Sequence, residues 1–154
     1  LTVPGLRYAV EKAGALLPFS CEQVFDVAAD IERYPQFLKW WISAKIRRRE
    51  LNVWYVEQIM GLGPIRLPFT SKAVLQRPHR IDVTSSDPPF RKYDLTWNIA
   101  SCAPAGCRVS VAAEFELESA LLQPIVNRLL PPAIDDIVES FEARAHSLYA
   151  AAKG

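Results

Sequence analysis

Two neighbouring stretches alternate apolar and polar side chains with a period of two, and a third then shifts to a helical period. In residues 91–100, Tyr93, Leu95, Trp97 and Ile99 share one side, and Lys92, Asp94, Thr96 and Asn98 share the other. In residues 108–118, Val109, Val111, Ala113, Phe115 and Leu117 alternate with Arg108, Ser110, Glu114, Glu116 and Glu118. Successive side chains of a strand point to opposite faces, so both stretches read as strands with one dry face and one wet face. Further on, Ile134, Ile137, Val138, Phe141, Ala145 and Leu148 fall on one helical stripe, with Asp135, Asp136, Glu139 and Glu142 read as solvated. A dry sheet face and a single apolar helix stripe satisfy each other when the sheet curls around the helix.

The rest of the chain supplies the remaining strands. Residues 8–17 read as a strand. Ser20 with Gln23 three residues on forms a capping box ahead of an apolar helical face at Val24, Phe25, Val27 and Ala28. A second short helix is expected over 30–38, broken by Pro35. Ile42, Ala44 and Ile46 then alternate with Ser43, Lys45 and Arg47. In residues 52–60, Trp54, Val56 and Met60 share one face and Val53, Tyr55 and Ile59 the other, so this strand is expected to be covered on both sides. Gly61-Leu62-Gly63-Pro64 reads as a turn, and 66–76 and 80–86 as further strands. A short apolar helix is expected over 120–130, ended by Pro131-Pro132, with the long helix starting anew after it. The expectation is an α+β helix-grip fold in one domain, residues 1–154. A curved antiparallel sheet of about six to seven strands wraps a long C-terminal helix, with two short helices after the first strand. Such an arrangement leaves room for a cavity.

Composition removes several function classes. The chain has 154 residues, 50% of them hydrophobic, 23% charged, and a net charge of +1. That balance suits a folded domain and gives no bulk electrostatic sign of a DNA binder. No apolar run approaches the ~20 residues of a membrane span. Cys102 and Cys107 flank Ala103-Pro104-Ala105-Gly106, where a hairpin turn could join them, although free thiols in a reducing compartment are the preferred reading. His79 and His146 are far apart and suggest neither a metal site nor a Ser-His pair. Glu57 has no paired carboxylate to share acid–base work. The expectation is a protein that encloses an apolar molecule rather than an enzyme.

An ordered set of aromatic marks sharpens this. Asp30 to Trp41 carries Tyr34-Pro35-x-Phe37-x-x-Trp40. Phe69-Thr70-Ser71 runs on to Arg77-Pro78-x-x-Ile81. Asp87-x-Pro89-Phe90-x-x-Tyr93-x-x-x-Trp97 follows, and the tail runs from Phe141-Glu142-Ala143-Arg144-Ala145 to Leu148-Tyr149. In these four segments the chain resembles the coenzyme Q-binding proteins of the START-like polyketide cyclase/dehydrase superfamily. The resemblance spans about residues 8–150. It implies a helix-grip fold holding ubiquinone or a similar isoprenoid lipid, with no covalent cofactor, in support of respiratory electron transfer. It also implies a location in the bacterial cytoplasm or at the inner face of the inner membrane, or on the matrix side in mitochondria. Close bacterial relatives of this family are toxins that bind the large ribosomal subunit and block subunit association. Two departures fall near the expected mouth: Pro88 stands where the family usually has Gly, and Leu38-Lys39 where it often has Pro.

The candidate ligand residues are Tyr34, Phe37, Trp40 and Trp41 at an entrance, and Trp54, Phe69, Phe90, Tyr93, Leu95, Trp97, Ile137 and Phe141 in the space between sheet and helix. Packing of an ordinary core is the competing reading for each. Trp97→Ala or Phe141→Asp is expected to lower quinone retention without unfolding the domain. Residues 120–130, with Gly61–Ile65, are read as a movable lid or a foot for peripheral membrane contact. Arg47-Arg48-Arg49, with Lys45, Arg66, Arg91 and Lys92, offers a basic patch for anionic lipid or ribosomal RNA, with Arg48 expected to point away from Arg47 and Arg49. A cyclase or aromatase using the same cavity is a third reading, and it requires a proton-handling interior.

Overall fold

The computed structural model describes residues 8–102 and 106–150. Seven strands form one antiparallel sheet in the order β1-β7-β6-β5-β4-β3-β2. They are β1 (Tyr8–Leu17), β2 (Trp41–Glu50), β3 (Val53–Leu62), β4 (Ile65–Gln76), β5 (Arg80–Ser85), β6 (Phe90–Ser101) and β7 (Cys107–Leu117). Helix α1 (Cys21–Ala29), a 3-10 turn (Ile31–Arg33) and α2 (Tyr34–Phe37) link β1 to β2, and α3 (Gln123–Tyr149) closes the chain. The curved sheet wraps α3, as the alternation in β6 and β7 requires.

The capping box at the start of α1 is present: Gln23 donates its backbone N–H to Ser20 Oγ, and Ser20 donates its own to Gln23 Oε1. Pro35 does not break its helix. It lies in the first turn of α2, where a missing N–H costs no intrahelical bond. In β6 and β7 every expected inward residue is buried, with Trp97, Val109, Val111 and Leu117 fully enclosed.

Several expectations are corrected. Helix α3 runs unbroken from Gln123 to Tyr149, with Pro131 and Pro132 inside it. The two prolines remove the amides of two intrahelical bonds without ending the helix, because Val126 and Leu130 before them and Ala133, Ile134 and Ile137 after them are all buried on the same sheet. Leu148 is 42% exposed, since the stripe runs past its last buried residue, Ala145. Glu142 is not simply solvated: it accepts the Ala15 N–H at 2.6 Å, where a register shift interrupts the β1–β7 ladder. The outer face of β3 is not covered; Val53, Tyr55 and Ile59 are only half-buried and Glu57 is exposed. A register shift between Trp41 and Ser43 turns Ile42 outward, so it does not share a face with Ala44 and Ile46. A second shift, between Ile46 and Arg48, pairs Arg48 with Tyr55 and Arg49 with Trp54. Arg47 and Arg48 therefore meet outer-face partners and Arg49 stands apart, the reverse of strict alternation.

Candidate functional site

Side chains of α3 and the concave sheet face enclose an apolar cavity near the open edge. Its wall is Trp40, Trp41, Met60, Leu67, Phe90, Leu95 and Phe115 from the sheet side, and Val126, Leu130, Ala133, Ile134 and Ile137 from α3. Its volume is about 20 Å³, room for one water and too little for a single five-carbon isoprene unit. A second void of about 10 Å³, called the inner one here, lies between Ile31, Tyr34, Val56, Gln58, Ser71 and Tyr93. Trp41 and Leu95 line both and so stand between them.

The outer void is apolar throughout, whereas the inner one has a polar chain. Trp41 Nε1–H donates to Gln58 Oε1 at 2.8 Å, and Gln58 Nε2–H donates to Ser71 Oγ at 2.8 Å. The indole can only donate, so its partner is the amide oxygen of Gln58, which fixes the amide's orientation. Gln58 and Ser71 are each 3% exposed. Tyr34 donates its hydroxyl to the Ala28 carbonyl, and Tyr93 donates to Met60 Sδ at 3.7 Å. Burial pushes both phenols well above the ordinary tyrosine range, with Tyr93 and then Asp30 raising Tyr34 further, so both stay neutral. No carboxylate, histidine or lysine lines either void among the described residues, and the titratable side chains in the inner wall are the phenols of Tyr34 and Tyr93.

The twelve sequence candidates separate into three groups. Trp40, Trp41, Phe90, Leu95 and Ile137 line the outer void, and Tyr34, Trp41, Tyr93 and Leu95 the inner one. Phe69, Trp97 and Phe141 are buried just behind: Phe69 packs on Phe90 and Tyr93 with centroids at 4.9 and 4.7 Å, and Trp97 lies 5.0 Å from Phe141. Trp97 and Phe141 are both fully buried. An aspartate at 141 would bury an unpaired charge, so the expectation that Phe141→Asp leaves the fold intact is withdrawn. Phe37 and Trp54 lie outside both walls. Phe37 is half-buried between Tyr34 and the Arg144 guanidinium, and Trp54 lies beneath Arg49. Ser71 and the α3 residues Val126, Leu130 and Ala133 were not singled out from the sequence. The parity of Leu67, Phe69, Ser71 and Ala73 on β4 carries the signal for Ser71.

Two features concern access. Gln123, fully buried, ties the first turn of α3 to the end of β7. It accepts the Leu117 N–H at 2.6 Å and donates to the Phe115 carbonyl at 3.3 Å and to Asn127 Oδ1 at 2.8 Å. Beside the mouth, Lys39 Nζ reaches Asp136 of α3 at 3.7 Å, and Leu121 and Ile125 are 86% and 36% exposed.

The basic strand is largely spent on internal partners. Arg47 pairs with Glu57 at 3.1 Å and holds its carboxyl below the usual range; Arg48 pairs with Glu50 at 2.7 Å, and Arg49 lies over Trp54. All three cysteines are free; Cys102 and Cys107 are unbonded, and residues 103–105 between them lie outside the described residues. Burial, then Cys21 beside it, pushes the Cys107 thiol up to about 12. Among the described residues there is no group of three His, Cys, Asp or Glu able to hold a metal, and no helix long and apolar enough to cross a membrane.

A curved sheet gripping a helix over an apolar cavity defines a START-like ligand-binding fold. The chain belongs to the polyketide cyclase / dehydrase and lipid transport family, whose model matches residues 17–142. It is 25% identical over 135 residues to the ribosome association toxin RatA of Pseudomonas aeruginosa, covering 88% of this chain and 94% of that protein. It is 24% identical over 138 residues to the mitochondrial coenzyme Q-binding protein COQ10 homolog B of Xenopus laevis, covering 87% of this chain and 57% of that one. Among solved structures, a START superfamily protein from Mycobacterium smegmatis superposes with a TM-score of 0.78 at 17% identity, over 91% of this chain and 98% of that one. The Zhui aromatase/cyclase of Streptomyces superposes at 0.76 with 14% identity, over 94% and 98%. These last two likenesses speak for the fold alone.

Proposed function

We propose that this protein binds ubiquinone or a similar isoprenoid lipid between the sheet and α3 and acts as a non-catalytic carrier that exchanges it with membranes. The observation that carries this reading is the wall of the outer void: twelve side chains from five strands' worth of sheet surface, the Trp40-Trp41 corner and α3, without a titratable group among them. The relatives named for coenzyme Q binding support the same ligand class. Burial of apolar tail surface at about 25 cal/mol per Å² supplies the affinity, and the membrane's equal liking for the tail keeps transfer reversible. The void in its closed form is too small, so loading requires the first turns of α3, residues 123–130, to swing outward as a lid. Pro131-Pro132, where two intrahelical bonds are missing, is the place for that bend, and the exposed Leu121 and Ile125 would touch the bilayer.

The direct test is extraction from vesicles. Protein is mixed with liposomes containing a short-chain ubiquinone, separated by centrifugation, and the supernatant quinone is quantified. Stoichiometric quinone with the protein is expected; none, with folded protein, rejects the carrier reading.

Ribosome association is the second reading, favoured by the RatA relatives, which match over nearly their whole length. It places the contact at the exposed edge strand β2. It predicts salt-sensitive cosedimentation with large subunits, lost on reversing Arg47, Arg48 and Arg49 to Glu.

A further inference from the structure

The inner void is short of acceptors. Gln58 Oε1 takes the Trp41 indole proton, and Gln58 gives one amide proton to Ser71 Oγ. That leaves the Ser71 hydroxyl proton and the second Gln58 amide proton without an acceptor among the described residues. The Tyr93 hydroxyl, in the same wall, has only a thioether sulfur, at 3.7 Å. Buried donors normally find full partners, and leaving them unspent is costly. Two unspent donors and a phenol held only by a thioether border one void, a site whose missing component is an oxygen with lone pairs.

We propose that the inner void is the head site of the ligand, and that it takes a carbonyl oxygen carried by an otherwise apolar molecule. This rests on the reading of the outer void as the place of the tail. The molecule enters head first past Trp41, whose indole separates the two voids and is steadied by Gln58. The carbonyl oxygen accepts from Ser71 Oγ–H and from Gln58 Nε2–H or Tyr93 Oη–H, while the tail lies along Met60, Leu67, Val126 and Leu130 toward the mouth. Recognition is then set by β3, β4 and β6 at the closed end, and the mouth contributes apolar area only.

The test compares two probes of equal tail length, a decyl-substituted benzoquinone and decylbenzene, on the intact protein and on Ser71→Ala and Tyr93→Phe. Tyr93→Phe deletes one donor, whereas Ser71→Ala deletes one donor and also the acceptor of a Gln58 amide proton; both remove little volume. Binding is read by titration calorimetry, and the Gln58 side-chain amide and Trp41 indole protons are followed by NMR. Wild type is expected to favour the quinone at least fivefold, with both sets of protons shifting for the quinone more than for decylbenzene. Each variant should lower the quinone-to-decylbenzene ratio about fivefold, the worth of one net hydrogen bond. A ratio near one in wild type, or one unchanged in both variants, overturns the head site while decylbenzene binding leaves the cavity reading standing. Failure of both probes to bind folded protein overturns both.

Discussion

Gln123→Ala tests whether the first turns of α3 are a lid. The side chain is fully buried and holds two backbone groups of β7, the Leu117 N–H and the Phe115 carbonyl. Truncation leaves both without that partner, at about 1–3 kcal/mol each, so the closed form loses at least about 2 kcal/mol relative to a form in which water reaches them. At 1.4 kcal/mol per tenfold this is about a 30-fold rise in the open population. Native-state hydrogen exchange reads it directly. Amides of residues 123–130 should lose about 30-fold in protection, while those of Ile134–Tyr149 keep theirs, and association with an apolar probe should speed up. The division is expected at Pro131-Pro132, where the missing amides weaken the mechanical link between the two halves. A uniform loss of protection along the whole helix would refute the reasoning, because α3 would then be one cooperative unit with no lid.

Other substitutions test the frame. Gly14 sits where β1 meets α3: a Cβ there would lie 2.7 Å from Glu142 Oε2 and 3.1 Å from the Val109 carbonyl. Gly14→Ala should therefore cost about 1–3 kcal/mol in a denaturant titration. Phe141→Ala should cost about 3–5 kcal/mol, since the ring is fully buried against Trp97; its melting point should fall in the absence of any ligand. Asp82 is held below the usual carboxylate range, first by Arg80 and then by Thr96. A depressed folded value means this stabilisation is complete above the unfolded value of about 3.9 and is lost as pH falls through the folded one. Asp82→Asn should flatten that part of the acid-stability curve measured by circular dichroism. With its thiol at about 12, buried Cys107 should resist iodoacetamide at pH 8 while half-buried Cys102 is labelled first, as peptide mass spectrometry would show.

What could be read from the chain alone follows a physical pattern. Strands β6 and β7 were legible because each is dry on one face and wet on the other, so a period of two survives in the residues themselves. The capping box at Ser20 and Gln23 is local chemistry and was equally plain. Misreadings arose where tertiary packing overrode a local rule. Pro131-Pro132 reads as a break, yet burial on both sides carries α3 through it. The arginines of β2 follow strict alternation only until a register shift intervenes, and sequence does not show bulges. The site was half legible for the same reason. Aromatic marks located Trp40, Trp41, Phe90 and Tyr93, but large rings serve core and cavity alike, so Trp97 and Phe141 looked the same as true wall residues. Ser71 escaped the sequence reading because a small polar residue carries no mark until its neighbours enclose it.

The most direct measurement is native mass spectrometry of the protein purified gently with its cellular lipids, followed by organic extraction and identification of whatever is bound. The account predicts one apolar molecule per chain, bearing a carbonyl and a long tail, displaced by added short-chain quinone. Folded protein that carries no such molecule, takes up none when offered, and cosediments with large ribosomal subunits would contradict it.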